Sequence, residues 1–257
     1  MYPKSLRHRR DPEGSRMDAE LGTIAGRVRA VFEEIHRAAV RAGRAPDTVR
    51  LLAASKTVTV ERLREAVDAG IRHLGENRLQ EALPKIEALD REGVVWHFIG
   101  TLQRRKVKSV VGRFETIHSV DSLALAEEIN RQARAAGLRQ RVLLEVNLGA
   151  ESSKGGFAPA ALAADLPALS QFDRLDIRGL MAIPPPMPTA EDARPYFRQL
   201  RELAQALTVQ GCRNINMQEL SMGMSHDYAV AVEEGATYVR VGTAIFGARS
   251  EPHHDHT

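Results

Sequence analysis

The sequence has little that would suggest a membrane, nucleic-acid-binding or disulfide-bonded protein. Its 257 residues include one cysteine, Cys212, so no disulfide can form within the chain and a reducing compartment, the cytoplasm, is expected. No apolar run approaches the roughly 18 residues of a membrane span, and the first 16 residues lack the apolar stretch of a secretory signal. The net charge is only +3, from 36 basic and 33 acidic residues, so we expect neither a membrane nor a nucleic acid as partner.

The composition favours one large globular domain. Hydrophobic residues make up 43% of the chain, which is enough for a sizeable core, and 27% of the residues are charged, which covers that core with a polar surface. The first residues are rich in arginine and histidine, and the last seven include three histidines. We therefore expect a disordered extension over 1–16, a domain over 17–249 and a disordered tail over 250–257.

Apolar runs of strand length alternate regularly with helix-like stretches. An amphipathic helix is predicted first, over 21–42, because Ile24, Val28, Val31 and Ile35 recur at helical spacing. Further helices are predicted over 60–68, 122–136 and 191–208, and glycines 70, 93, 137 and 211 are expected to end helices. The strand-like runs number eight, at 49–55, 71–75, 94–99, 116–120, 142–147, 177–183, 216–220 and 238–241.

Eight strand–helix units in about 200 residues predict a single (β/α)8 TIM barrel with an extra N-terminal helix. The alternative is a doubly wound open sheet, which would not require eight units. No glycine-rich dinucleotide fingerprint follows the first strand, and this disfavours the open sheet.

Polar, small and turn-forming residues gather where the predicted strands end. Lys56 follows the first strand, and Gly242 and Thr243 follow the last, which also carries Arg240 inside its apolar run. The carboxyl ends of barrel strands form the active site of such folds. A lysine amine and a phosphate-binding turn at that end suggest a phosphorylated carbonyl compound held as a Schiff base.

Several motifs in this order resemble the pyridoxal 5'-phosphate homeostasis proteins (YggS/PROSC-like), whose barrel is that of the alanine racemase N-terminal domain. The resemblance covers about residues 49–249. The motifs that carry it are Ala-Ser-Lys at 54–56, Leu-Gly-Glu-Asn at 74–77, Trp-His-Phe-Ile-Gly at 96–100, and the segments 178–184, 220–225 and 239–249.

The resemblance implies pyridoxal 5'-phosphate as cofactor and a role for each of eight residues. Lys56 would form the internal aldimine, Arg240 would face the pyridine nitrogen and Asn77 would lie beside the ring. By the same resemblance, Ser225, Gly242 and Thr243 would bind the phosphate, and Ser221 and Met222 would line the pocket.

An arginine at the ring nitrogen disfavours catalysis. Arginine is always a cation and only a donor, so it favours an unprotonated nitrogen and makes the ring a poor electron sink. Racemisation also needs two acid/base groups on opposite faces of the substrate carbon, and the second, in alanine racemases a tyrosine of an additional domain, is not expected here. The sequence therefore predicts a cofactor-binding regulator or carrier that acts in vitamin B6 and amino-acid homeostasis without efficient catalysis.

Other interpretations stay open. One is a slow pyridoxal-phosphate-dependent amino-acid racemase, and another is a cofactor-free Schiff-base barrel of the aldolase kind, in which Lys56 would capture a sugar phosphate. Apo forms of pyridoxal-phosphate enzymes are candidate recipients, and the chain could be a monomer or a homodimer. His97 reads equally as a hydrogen-bonded core residue or a pocket-edge residue. Glu76 could be an acid/base group, although a carboxylate favoured by a helix N-terminus is the better interpretation, and 152–156 could be an anion-binding loop, although a flexible loop is the better interpretation. No metal site is expected.

Overall fold

The computed structural model describes residues 22–89, 93–149, 155–208 and 213–248. Within these residues eight strands form a closed parallel barrel, in which each strand pairs with the next and the last pairs with the first. The strands are β1 Arg50–Ala54, β2 His73–Glu76, β3 Val95–Phe98, β4 Thr116–Val120, β5 Gln140–Glu145, β6 Leu175–Met181, β7 Ile215–Ser221 and β8 Tyr238–Val241. The predicted (β/α)8 barrel is confirmed.

Helices surround the barrel. They are α1 Ile24–Arg41, α2 Val60–Asp68, α3 Leu79–Ala88, α4 Val107–Val110, α5 Leu123–Ala135, α6 Pro159–Leu169, α7 Arg194–Ala206, α8 Tyr228–Glu233 and α9 Thr243–Phe246. The prediction over 60–68 agrees with α2 at both ends, and Gly70 and Gly137 adopt positive φ just after α2 and α5, as expected of helix-ending glycines. Gly211 lies outside the described residues, as do 1–16 and 250–257.

The extra N-terminal helix, α1, packs against the barrel's last units. It begins at Ile24, three residues later than predicted, because the hydroxyl of Thr23 accepts the N–H of Gly26 and caps the helix there. Its apolar stripe is buried. Beyond α1, the guanidinium of Arg44 donates to the carbonyls of Val232 at 2.6 Å and Ala236 at 2.8 Å. These bonds tie the chain that follows α1 to α8 and the loop before β8.

Two different layers fill the molecule. The large apolar core lies between the outer faces of the strands and the helices. The inside of the barrel is more polar, because His97, His118, Ser221 and Arg240 are buried there beside Tyr238. In the described part of the chain no helix is both long enough and apolar enough to cross a membrane.

Candidate functional site

A cavity of about 510 Å³ opens at the carboxyl ends of the barrel strands, where the sequence predicted a site. Six of the eight predicted site residues line it. They are Lys56, Asn77, Ser225, Arg240, Gly242 and Thr243. The barrel therefore brings together residues that lie up to 187 positions apart in the chain, although their roles toward a ligand stay predictions.

Lys56 is presented to the cavity by an unusual turn directly after β1. Thr57, the next residue, has φ of 63°, a left-handed conformation that is uncommon outside glycine. The N–H of Thr57 donates to Glu81 Oε2 at 3.1 Å, and this bond from α3 holds the turn. Among the residues that the structure describes, Lys56 Nζ has no hydrogen-bond or ion-pair partner. Its half-buried amine is therefore available to a ligand.

Ser225, Gly242 and Thr243 form a polar cradle on one side of the cavity. The Ser225 hydroxyl accepts the N–H groups of Gly242 at 3.1 Å and Ala244 at 3.3 Å. A hydroxyl has two acceptor positions and one proton, so these two bonds leave the Ser225 proton free to be donated. Thr243 begins α9, whose first amides have no partner within the helix. Because Gly242 and Ala244 already donate to Ser225, the Ser225 proton and the N–H and hydroxyl of Thr243 are the donors left for an anionic ligand such as a phosphate.

Arg240 supplies a buried positive charge at the base of the cavity. It donates from Nη1 to Ser221 Oγ at 2.6 Å and from Nη2 to the Ala182 carbonyl at 3.0 Å. Burial lowers the pKa of Arg240 to about 10, against the opposing effect of Glu145 and Asp227, so the guanidinium is charged at neutral pH. No described carboxylate lies within ion-pair distance of Arg240, whose described side-chain hydrogen bonds go to Ser221 and Ala182. A buried cation with unused donors requires an acceptor.

Asn77 reaches the cavity from the end of β2. Its backbone is closely packed, because a Cβ added at Gly100 would lie 2.4 Å from the Asn77 carbonyl oxygen. Only glycine fits at position 100, at the end of β3, without moving Asn77. The Gly100 of the sequence motif therefore sets the position of Asn77.

Ser221 and Met222 are fully buried and are not among the residues that line the cavity. The resemblance implied that both would line the pocket. Ser221 instead lies behind Arg240 and accepts its hydrogen bond, and the backbone N–H of Met222 donates to the Tyr238 carbonyl. Ser221 can thus affect a ligand through Arg240.

Glu76 belongs to a buried ion pair beside the cavity and lies three residues before α3 begins at Leu79. Its carboxylate accepts from the ammonium of Lys85 and from the Ser55 hydroxyl at 2.8 Å. Lys85 Nζ also donates to the Ser55 carbonyl at 2.7 Å. Because Ser55 precedes Lys56, this cluster fixes the end of β1 from which Lys56 projects.

Sequence reasoning missed several lining residues. His226 is exposed at the cavity, and its Nε2 lies 3.3 Å from Asp227 Oδ2. Arg62 on α2 donates to the Phe246 carbonyl, and both residues line the cavity. The position of His226 beside Ser225 was a usable signal, whereas Arg62 comes from a helix that no motif marks.

His97 is a hydrogen-bonded core residue, one of the two interpretations that the sequence left open. It lies in a row of three imidazoles from consecutive strands, His73, His97 and His118, which we call the histidine chain. His73 Nδ1 lies 3.0 Å from His97 Nε2, and His97 Nδ1 lies 3.0 Å from His118 Nε2. No cluster of metal-ligand type was found among the described residues.

The barrel and the placement of its site first define a class. The family described as "Alanine racemase, N-terminal domain" matches residues 32–250. An alanine racemase from Clostridium difficile 630 has the same fold, with a TM-score of 0.64 at 16% identity over 87% of this chain and 56% of that one. This likeness concerns the fold alone.

Closer relatives give the particular family. The chain is 48% identical over 223 residues to the pyridoxal phosphate homeostasis protein of Aquifex aeolicus, covering 87% of this chain and 97% of that protein. It is 40% identical over 232 residues to the protein of the same name from Escherichia coli K12, covering 89% and 98%. The structure of Synechococcus elongatus PipY with PLP bound is similar, with a TM-score of 0.73 at 44% identity over 83% and 100% of the two chains. The chain therefore belongs to the family of pyridoxal phosphate homeostasis proteins.

Proposed function

We propose that this protein binds pyridoxal 5'-phosphate covalently through Lys56 and serves vitamin B6 and amino-acid homeostasis in the cytoplasm, without efficient catalysis. The observation that carries the proposal is Arg240, a buried cation without a described carboxylate partner, in the same cavity as Lys56 and Ser225. The PLP-bound structure of the Synechococcus relative supports the choice of ligand.

The residues present fit this cofactor at each of its three polar ends. Pyridoxal phosphate supplies an aldehyde, a pyridine nitrogen and a phosphate. A primary amine captures the aldehyde with loss of water. Lys56 provides the amine without a competing partner among the described residues. Arg240 provides donors for the nitrogen, and the Ser225–Gly242–Thr243 cradle provides donors for the phosphate.

Arg240 is also the reason to expect little turnover. Electron withdrawal by the ring is strongest when its nitrogen carries a proton, and an aspartate or glutamate partner would hold that proton in place. Arg240 carries its own protons and stays charged at neutral pH, so it donates to the nitrogen and opposes a second positive charge there. The site holds the cofactor while keeping it poorly reactive toward amino acids.

A thermal-shift titration tests cofactor binding. A ligand that binds only the folded protein raises the unfolding temperature, by an amount set by its concentration relative to its dissociation constant. We expect a large shift with pyridoxal 5'-phosphate, a smaller one with pyridoxal and little with inorganic phosphate. Equal shifts with pyridoxal and its phosphate would contradict the phosphate cradle.

Ser225→Ala is expected to weaken binding of pyridoxal 5'-phosphate by about tenfold, since a hydrogen bond to a charged group contributes roughly 1.5–3 kcal/mol. Binding of pyridoxal, which has no phosphate, should hardly change. Titration of both ligands against wild type and the variant measures this. Ser170→Ala, at a partly exposed position that does not line the cavity, is the control, and an equal loss for both ligands would indicate a folding defect.

Arg240→Glu is expected to raise protonation of the ring nitrogen and with it the conversion of the cofactor to its amine form by added amino acids. Arg240→Gln, which is neutral, controls for loss of the guanidinium itself. Absorption spectra and product analysis follow the reaction. If all three proteins give the same spectra and rates, Arg240 does not act at the ring.

A slow amino-acid racemase is the second candidate, and His226 favours it. Racemisation needs a second acid/base group, and His226 lines the cavity as Lys56 does. Exchange of the α-proton of an added amino acid for deuterium, lost in His226→Ala, would support this activity. Exchange no faster than with free cofactor would support the carrier role. In that role apo forms of pyridoxal-phosphate enzymes are the recipients that we propose.

A further inference from the structure

The histidine chain leads from the amino end of the barrel to Arg240. His118 Nδ1 lies 2.9 Å from Ser221 Oγ, and the same oxygen accepts from Arg240 Nη1 at 2.6 Å. His97 and His118 are fully buried, whereas His73 at the far end is partly exposed. None of the three imidazoles lines the cavity, and the function proposed above assigns no role to any of them.

The donor character of arginine fixes where the protons of this row lie. Arg240 can only donate, so Ser221 Oγ accepts from it. The Ser221 oxygen could accept a second bond, but its own proton would then have no described acceptor, so that proton points to an unprotonated Nδ1 of His118. His118 must carry its proton on Nε2 and donate it to His97 Nδ1, and His97 in turn donates from Nε2 to His73 Nδ1. All hydrogen bonds therefore run in one direction, away from Arg240.

The row is also uncharged. Burial is the main cause that lowers the pKa of His97 to about 3 and the pKa of His118 well below its usual value, so both are neutral at pH 7. The Tyr238 ring packs edge-on against all three imidazoles, with centroid separations of 5.1–6.3 Å. The neutral histidine chain therefore fixes Arg240 through Ser221 without neutralising the charge of the guanidinium.

We propose that His97 and His118 are positioning residues for Arg240. They keep the Ser221 oxygen as an acceptor for Arg240 and so fix the direction of the Arg240 guanidinium, which has no described carboxylate partner. A guanidinium held in this way selects a ligand ring whose nitrogen is unprotonated and can accept a hydrogen bond. The identity of that ring rests on the proposed function. The proton arrangement of the row rests on the hydrogen bonds alone, so the two can fail separately.

Nitrogen NMR of the protein without added cofactor tests the proton arrangement. With ¹⁵N-labelled histidine at pH 7, we expect His97 and His118 to be neutral, each with a protonated Nε2 and an unprotonated Nδ1. A proton on Nδ1 of His118, or a charged imidazole at either position, would overturn the proposal. The measurement uses wild type and does not depend on a variant folding.

Ser221 variants test the connection to Arg240. Ser221→Ala removes the proton that His118 Nδ1 receives, so both neutral forms of His118 should become populated. Ser221→Thr keeps the hydroxyl and should restore the wild-type NMR pattern. If the His118 signals were unchanged in Ser221→Ala, Arg240 would not set the direction in which the hydrogen bonds of the histidine chain are donated.

Selectivity for the ring nitrogen tests the function of the row. Methylation of the ring nitrogen of pyridoxal 5'-phosphate removes the acceptor and adds a fixed positive charge, so wild type should bind the methylated compound at least about tenfold more weakly. His118→Phe keeps an aromatic ring but leaves Ser221 without its acceptor, and it should reduce this discrimination several-fold. His36→Phe, on the exposed face of α1, is the control.

The outcomes separate the two proposals. Expected histidine protonation without any binding of pyridoxal 5'-phosphate would contradict the proposed function and leave the proton arrangement standing. Binding with the reverse protonation of His118 would overturn the positioning role while the cofactor site survives. If His118→Phe lost affinity equally for pyridoxal 5'-phosphate and for its ring-methylated form, His118 would have only a structural role and would not position Arg240.

Discussion

Lys56→Ala is expected to abolish covalent attachment of pyridoxal 5'-phosphate. The variant should lack the visible absorption band that the wild-type protein gains on addition of the cofactor, and borohydride should leave no pyridoxyl group on any lysine of the variant. Weak binding should persist through the Ser225 cradle, because those donors do not depend on Lys56. Absorption spectra with and without borohydride measure attachment, and a thermal-shift titration measures the residual binding.

Two other lysines make this prediction specific. Lys108→Ala, at an exposed position of α4, should behave as wild type. Lys85 lies close to Lys56 in the fold, but its ammonium is buried and bonded to Glu76 and the Ser55 carbonyl, so it should not replace Lys56. A Lys56→Ala protein that kept the full absorption band would contradict the assignment and point to another amine.

Stability is expected to fall steeply between pH 6.5 and pH 5 because of the histidine chain. Burial, followed by the charges of His73, Arg50 and Arg141, lowers the pKa of His97 to about 3. Burial, followed by His97, Arg240 and His73, lowers the pKa of His118 well below 6.5. In the unfolded chain both imidazoles return to a pKa of about 6.5.

The direction in which the free energy of unfolding changes with pH follows from proton binding. Between the folded and unfolded pKa values only the unfolded state binds protons, so the free energy of unfolding decreases as pH falls. A histidine that stays neutral in the folded protein lowers the free energy of unfolding by at most about 1.4 kcal/mol per pH unit, so the decrease should begin near pH 6.5 and continue toward pH 5. The contribution is fully present above pH 6.5 and is lost below it.

Urea unfolding at a series of pH values measures this dependence, and a variant isolates its source. His118→Phe should reduce the slope between pH 6.5 and pH 5 by up to about 1.4 kcal/mol per pH unit, because one titrating imidazole is gone. The exposed His36→Phe should leave the slope unchanged. A flat stability profile in wild type would mean that His97 and His118 are accessible to protons in the folded state.

The sequence predicted the barrel well because buried parallel strands read as continuous apolar runs. The run over 116–120 agrees with β4 at both ends, and 238–241 agrees with β8. The ends of other elements were less accurate. The strand predicted over 71–75 is β2, His73–Glu76, since residues 71 and 72 still lie in the connection between α2 and β2.

The candidate site was predictable as far as it depends on strand ends. Lys56, Asn77 and Gly242 each follow a strand, and closure of a parallel barrel places such residues around one opening. The histidine chain could not be predicted in the same way. Its members come from three strands and meet Ser221 of β7 only because the barrel closes, and no local pattern marks which histidines face inward.

Peptide mapping after borohydride reduction of the cofactor-loaded protein tests the central claim most directly. We expect one pyridoxyl group per chain, on the peptide that contains Lys56, with loss of the visible absorption band. A colourless protein with unmodified Lys56, or a pyridoxyl group on a different lysine, would contradict it.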